Sequence, residues 1–288
     1  MLSAVPPSLS PSAPPGVIGR PLRSLKQEYE EFMLQRIEEY KNALSRDAIL
    51  SIGDEAIREL EMNAGGQYLL TEVLLLEHVD RVIARRLRLP SFPRWRRRHR
   101  TLRLAQREPT HWGLDHSAPV VALARRLEPG DEVVVIGAAA LAGALFLAAH
   151  DAEVFLLDQE IGAIEAAEGR AVSEQLAGRF HALVIQLGNW LPDVGPDVVV
   201  IDPRALAAVR ARDRTATLAD LTARTRPGGV HLVLAAPAAG GVIPLAPTAL
   251  ESHYRGWEIT KHKRGGRSAG FLATKPERQH DTAVHVSE

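Results

Sequence analysis

Three apolar runs end in residues that could hold or work on a ligand. Glu132-Val-Val-Val-Ile136 closes on Gly137, Glu153-Val-Phe-Leu-Leu157 on Asp158, and Pro196-Asp-Val-Val-Val-Ile201 on Asp202-Pro203. Between the first two lies an apolar stretch, Ala138 to Ala149. A strand, a small-residue turn, a helix and a second strand ending in an acid about twenty residues on make a nucleotide-binding βαβ unit. Small residues let the backbone approach a ligand, and a carboxylate past the second strand can accept both ribose hydroxyls. Each such charge-assisted hydrogen bond contributes about 1.5–3 kcal/mol. Both acids also have a purely structural reading. Asp158 can cap the helix that starts beyond Gln159-Glu160, and Asp202 before Pro203 has the form of an N-cap with proline at the first helical position.

Other chemistries are excluded or unsupported by composition. With no cysteine, the chain has no disulfide, thiolate zinc site or cysteine nucleophile. Its eleven histidines show no metal-ligand spacing such as HExxH, so no metal is expected. Formal net charge is zero, which leaves only local clusters to recruit charged partners. One cluster is prominent. Residues 81–107 hold eleven arginines and no acid, including Arg94-Trp-Arg-Arg-Arg-His-Arg100. Those arginines could meet nucleic-acid phosphates, with Trp95 as a stacking surface, the acids of a partner, or solvent and the acidic first helix of their own chain. The last reading is preferred, because charge elsewhere offsets the run and no RNA-binding motif accompanies it. No apolar run reaches the ~18 residues needed to cross a bilayer. The N-terminus lacks a basic n-region and an apolar h-region, so a cytoplasmic protein is expected.

These residues must be positioned by elements that the patterning also suggests. Residues 1–22 are Pro- and Ser-rich and read as a disordered tail. From Ser24 apolar residues recur at helical spacing, predicting helices over about 24–44, 46–62 and 68–87, with Asn63-Ala-Gly-Gly66 as a stop. Pro90 and Pro93 end this series, and residues 94–107 are read as a separate basic segment. The expected organisation is a helical cap over 23–108, an α/β domain over 109–276 and a flexible tail over 277–288. Within the α/β part, a helix is expected over 116–127, strands over 132–136, 153–157, 180–186 and 196–201, a helix of about twenty residues after Pro203, a strand over 230–234, and a terminal hairpin over 256–274.

The segment VVVIGAAALAGALFLAAHDAEVFLLD resembles the first cofactor motif of class I S-adenosylmethionine-dependent methyltransferases. Gly188-Asn-Trp190 stands where that family often has a Gly-Asp pair, RTRPGGVHLVL resembles its turn before the fifth strand, and the last two strands match its terminal hairpin. The resemblance covers residues 116–276. It implies an α/β fold with a Rossmann-like seven-stranded methyltransferase sheet, here preceded by an N-terminal helical region. It implies S-adenosyl-L-methionine as cofactor, held by Gly137, Ala138, Ala139, Asp158, Gln159, Gly188, Asn189 and Trp190. It implies in-line transfer of the sulfonium methyl to an acceptor, a small molecule being favoured, with Asp202 and His111 as candidate bases; His111 and Trp112 could also form a lid. The pattern departs from the family at Val135, where an acid is usual, and at Ala139 and Leu141, where glycines are usual; leucine at a position needing an unusual dihedral would reshape the loop. Two alternatives stand beside this reading: a non-catalytic methyltransferase-like interaction module, favoured by Val135 and Leu141, and an NAD- or FAD-binding Rossmann enzyme, from the loose GxGxxG of IGAAALAG.

Overall fold

The structure is a computed structural model and describes residues 24–63, 72–235, 245–264 and 267–277. The tail expected over 1–22, the glycine stop at 64–66 and most of the C-terminal tail lie outside the described residues. Helix α1 (Leu25–Ala43) opens with a capping box: Ser24 Oγ accepts from the Gln27 amide at 3.2 Å, and Gln27 Oε1 accepts from the Ser24 amide at 2.8 Å. It packs with α2 (Arg46–Asn63) and α3 (Glu72–Arg86) around a small core of Ile37, Ile52, Ala56, Val82 and Ile83.

The basic segment proves to be a helix, α4 (Phe92–Gln106), with Pro93 in its first turn, where no amide partner is required. Its buried residues, Trp95, His99 and Gln106, are mostly polar, so an apolar period could not reveal it. Trp95 sits in an aromatic cluster, 5.4 Å from the ring of Tyr29 and 4.5 Å from that of His99. A 3-10 turn (Pro109–Trp112) leads to α5 (Pro119–Ala124), which is shorter than the helix expected over 116–127 because proline sets its start.

The α/β part follows as β1 (Glu132–Ile136), α6 (Leu141–Ala149), β2 (Glu153–Asp158), α7 (Ile161–Ser173), β3 (Phe180–Val184), β4 (Val198–Ile201), α8 (Pro203–Ala207), α9 (Ala211–Arg224), β5 (Val230–Leu234), α10 (Pro247–Leu250), β6 (Glu258–Arg264) and β7 (Arg267–Thr274). The helix of about twenty residues expected after Pro203 is thus two, α8 and α9. The strands form one seven-stranded sheet in the order β3-β2-β1-β4-β5-β7-β6. The first five run parallel, and β7 is antiparallel to both β5 and β6. The Rossmann-like seven-stranded expectation therefore holds.

Both faces of the sheet are covered, which is why its strands read as continuous apolar runs. Val133 and Val135 pack towards α6, while Val134 and Ile136 pack on the other side with Leu218, Tyr254 and Phe271. Val135, where the family usually has an acid, is a fully buried core residue. The helical region attaches at the amino edge of the sheet. There Asp151, just before β2, receives Arg103, Arg107 at 2.8 Å and Arg179 at 3.0 Å, and Gln106 Nε2 donates to the Glu174 carbonyl at 2.6 Å. Among the described residues no helix is long and apolar enough to cross a membrane.

One buried histidine stands in a chain of hydrogen bonds with a determined direction. Thr225 Oγ1 donates to the Leu221 carbonyl at 2.6 Å, so it accepts from His231 Nε2 at 2.7 Å. His231 Nδ1 then accepts from Tyr254 Oη at 3.1 Å. The imidazole is neutral: burial, reinforced by the Lys275 charge, pushes its pKa from 6.5 down to about 3. Between those values the unfolded chain binds a proton that the folded protein refuses, so stability falls as pH falls. Lowering the pH from about 7 to about 5 should remove about 2 kcal/mol through this group. Urea unfolding at both pH values checks this, with a folded His231→Gln variant losing that share of the pH dependence; equal dependence in variant and wild type would contradict it.

Candidate active site

The strand order reverses between β1 and β4, and in open α/β sheets ligands bind beyond the carboxyl ends of the strands at that point. A crevice of about 370 Å³ lies there, lined by Asp158, Gln159, Glu160, Leu187, Ala205 and Ala208. Two other hollows, of about 430 and 830 Å³, lie beside α1 and α4 at the opposite edge, away from the strand ends that carry the motif residues.

Gly137 ends β1 with φ +100°. A Cβ there would lie 2.9 Å from Asp202 Cβ and 3.0 Å from Ala205 Cβ, so only glycine lets α8 sit down on the loop. Beyond it the chain makes a 3-10 turn, Ala138–Ala140, and enters α6. Leu141 has φ −50° and ψ −44°, ordinary helical values. The expectation that leucine would distort the loop is therefore corrected: the position is the first residue of a helix, and its side chain packs against the core.

Asp158 ties the loop to the second strand. Its Oδ2 accepts from the Ala138 amide at 2.6 Å, and its Oδ1 accepts from the Glu160 amide at 3.0 Å. An ionised carboxylate has about four acceptor positions, so about two remain for a ligand. Gln159 is exposed on the crevice wall. Gly188, at φ +96°, is pressed by Asp213 at the start of α9, where a Cβ would come within 2.4 Å of Asp213 Cβ. Asn189 Nδ2 donates to Gln186 Oε1 at 3.1 Å, which turns its own Oδ1 into the available acceptor. Trp190 is 58% exposed.

Sequence reasoning missed Leu187, Ala205 and Ala208, which line the crevice. The signal was present for the alanines, two small residues three apart just past Asp202-Pro203, a spacing that puts both on one helical face.

The two candidate bases fare differently from the loop. Asp202 is buried as the N-cap of α8: its Oδ1 accepts from the Arg204 amide at 2.9 Å, and its Oδ2 pairs with the Arg204 guanidinium at 2.9 Å. Taking up a proton would break that pair. His111 is not in the crevice at all. Its Nε2 lies 3.0 Å from Glu174 Oε2, at the far end of α7. Thirteen residues of helix span about 19 Å, and α7 starts beside Asp158, so His111 belongs to the opposite edge of the sheet. Burial works to raise the Glu174 carboxyl, but hydrogen bonds from His111 and Gln106 outweigh it and hold it below the usual range. Trp112 is no lid: it is buried and donates to the Gln106 carbonyl at 2.7 Å. The dinucleotide-enzyme alternative is corrected by topology. The order usual for that fold is 3-2-1-4-5-6, whereas here an antiparallel strand is inserted between β5 and β6.

No family profile matches the chain, and no curated protein does. Among solved structures, similar ones include the N-methyltransferase NodS from Bradyrhizobium japonicum WM9, at 16% identity over 57% of this chain and 100% of that one, with a TM-score of 0.44. An O-methyltransferase family protein from Burkholderia thailandensis aligns at 15% identity over 57% of each chain, with a TM-score of 0.45. TehB from Haemophilus influenzae aligns at 17% identity over 54% of this chain and 61% of that one, with a TM-score of 0.43. By its own strand order, the chain is a Rossmann-like α/β protein with a seven-stranded sheet and an N-terminal helical region.

Proposed function

We propose that this chain is an S-adenosylmethionine-dependent methyltransferase, with its cofactor held across the carboxyl ends of β1, β2 and β3. The observation that carries the proposal is the Asp158 carboxylate, bound to the Ala138 amide on one side of the crevice with acceptor capacity left on the other. When bound, the cofactor supplies an electrophilic methyl on a sulfonium. Asp158 would accept the ribose hydroxyls, with Gln159 beside it. Asn189 Oδ1 would accept from the adenine amino group, and Leu187, Ala205 and Ala208 offer an apolar wall. The Gly137–Leu141 turn, with Ala138 and Ala139 at its tip, would face the methionine moiety.

Catalysis in this site rests on positioning, which by itself supplies much of the rate of an in-line displacement. Asp202 acts as a positioning residue: by capping α8 and pairing with Arg204 it seats Ala205 against Gly137. With Asp202 so engaged and His111 remote, the acceptor is best matched by a small molecule whose nucleophile already carries a free lone pair. Absence of ligand binding would favour the non-catalytic alternative.

Calorimetric titration with S-adenosylhomocysteine should show saturable binding, weakened tenfold or more in Asp158→Ala, because two charge-assisted hydrogen bonds of about 1.5–3 kcal/mol each are at stake. No heat and no thermal shift at millimolar ligand would sink the proposal. Gly137→Ala should cost about 2–4 kcal/mol of stability, combining a disallowed backbone conformation with the clash against α8. Thermal denaturation measures this, and a melting temperature equal to wild type would show that the loop does not need glycine.

A further inference from the structure

Apart from Arg88, which lies between the helices, the arginines of residues 81–107 divide, in three dimensions, into two groups of opposite character, those of α3 and those of α4 with its C-cap Arg107. Those of α3 are neutralised: Arg81 pairs with Glu77, Arg85 with Glu59 and Arg86 with Glu55. Those of α4 are not. Arg103 and Arg107 share the single carboxylate of Asp151 with Arg179. Arg94, Arg96, Arg97, Arg98 and Arg100 are exposed and form no ion pair among the described residues; Arg96 instead lies over the Phe92 ring, 5.8 Å from its centre. Of the residues outside the described ones, only Asp281 and Glu288 are acidic.

Placement on the helix gives this charge a shape. Arg96, Arg100, Arg103 and Arg107 recur at three- and four-residue spacing, which puts them on one stripe about 16 Å long. That stripe borders a hollow of about 830 Å³ whose wall contains six arginines against two carboxylates, Glu28 and Asp151. Arg94, Arg97 and Arg98 extend the positive surface around the exposed side of the helix, whose remaining exposed residues include Thr101, Leu104 and Ala105 and no acid. All of the charge is arginine, whose planar fork of donors matches phosphate oxygens.

Two other polyanionic or stacking partners fit less well. Membrane binding by a surface helix needs an apolar face free to enter the lipid, and the face of α4 that carries Trp95 and His99 is already buried. Single-strand binding relies on aromatic platforms for the bases; Trp95 is 3% exposed and enclosed by Tyr29, Phe32 and Phe92, and Phe92, itself only partly exposed, has Arg96 over its ring. The accessible charge on this side of α4 is guanidinium.

We infer that the exposed side of α4 is a docking surface for the phosphate backbone of duplex nucleic acid, bound without regard to base sequence. The surface lies at the amino edge of the sheet, since Asp151 precedes β2 and Arg179 precedes β3. It is therefore separated from the Asp158 crevice by the length of a six-residue strand, about 20 Å. Binding there leaves the crevice open and does not depend on the proposed methyl transfer.

The test is fluorescence anisotropy of a labelled 20-base-pair DNA duplex of arbitrary sequence, titrated with the full-length protein. With about four phosphates engaged, affinity should fall about a hundredfold between 50 and 200 mM salt. Combined Arg94→Gln, Arg97→Gln, Arg98→Gln and Arg100→Gln substitution should weaken binding at least tenfold at 50 mM salt and flatten the salt dependence. These side chains are exposed and unpaired, so the melting temperature should stay at the wild-type value, which separates lost contacts from lost folding. No binding at micromolar protein in 50 mM salt, or unchanged binding by the variant, would overturn the inference. So would tighter binding of the matching single strand, or arginine-dependent binding to phosphatidylserine-containing vesicles without binding to the duplex.

Discussion

Residue 137 has to turn out of β1 at φ +100° with no room for a Cβ, and most of the candidate site depends on that one constraint. The turn aims the Ala138 amide at Asp158 and starts α6 under the sheet. The empty side of Gly137 receives Asp202 and Ala205, which brings the helix after β4 against the loop after β1. Three strand ends are thereby locked together at the switch point. The remaining positions of the loop do not need glycine, because they are helical: Ala140 and Leu141 both have negative φ. A loop that looks worn against the family pattern is, in backbone terms, an intact strand-turn-helix.

A second arrangement joins the helical region to the α/β part. Asp151 holds three guanidinium groups, and Arg179 reaches on to Glu28 of α1 at 3.0 Å, which also meets His99 of α4 at 3.1 Å. Burial works to raise the Glu28 carboxyl, but its hydrogen bond to His99 and the Arg179 charge hold it below the usual range. Partly buried networks of this kind are costly to break at one member, because the remaining charges stay desolvated without a partner. The network therefore fixes where α1 and α4 sit. It also leaves α4 with more positive charge than its neighbours cancel.

Legibility in the sequence followed how local each feature was. The parallel strands were readable because burial on both faces makes them unbroken runs of valine, isoleucine and leucine. The acids and glycine that end them were readable because strand ends are local. Helix α4 was not readable as a helix, since its buried residues are a tryptophan, a histidine and a glutamine amid arginines. His111 is a candidate base by residue type, yet its partner Glu174 is 63 residues away and lies on the other edge. Leu187 is less conspicuous than Gly188-Asn-Trp190, although it is one of the six residues that line the crevice.

Sequence alone determined the alternating α/β pattern, the seven strands, the glycine that follows β1 and the carboxylate past the second strand, because backbone sterics and double-sided burial act within a few residues. Only the tertiary structure decided that Asp202 is spent on Arg204, that His111 is out of reach, and that the arginines of α3 are neutralised while those of α4 are not. The physical reason is that a charged or hydrogen-bonding side chain has no fixed role until its partner is placed, and these partners come from turns and helices that only the folded sheet brings together.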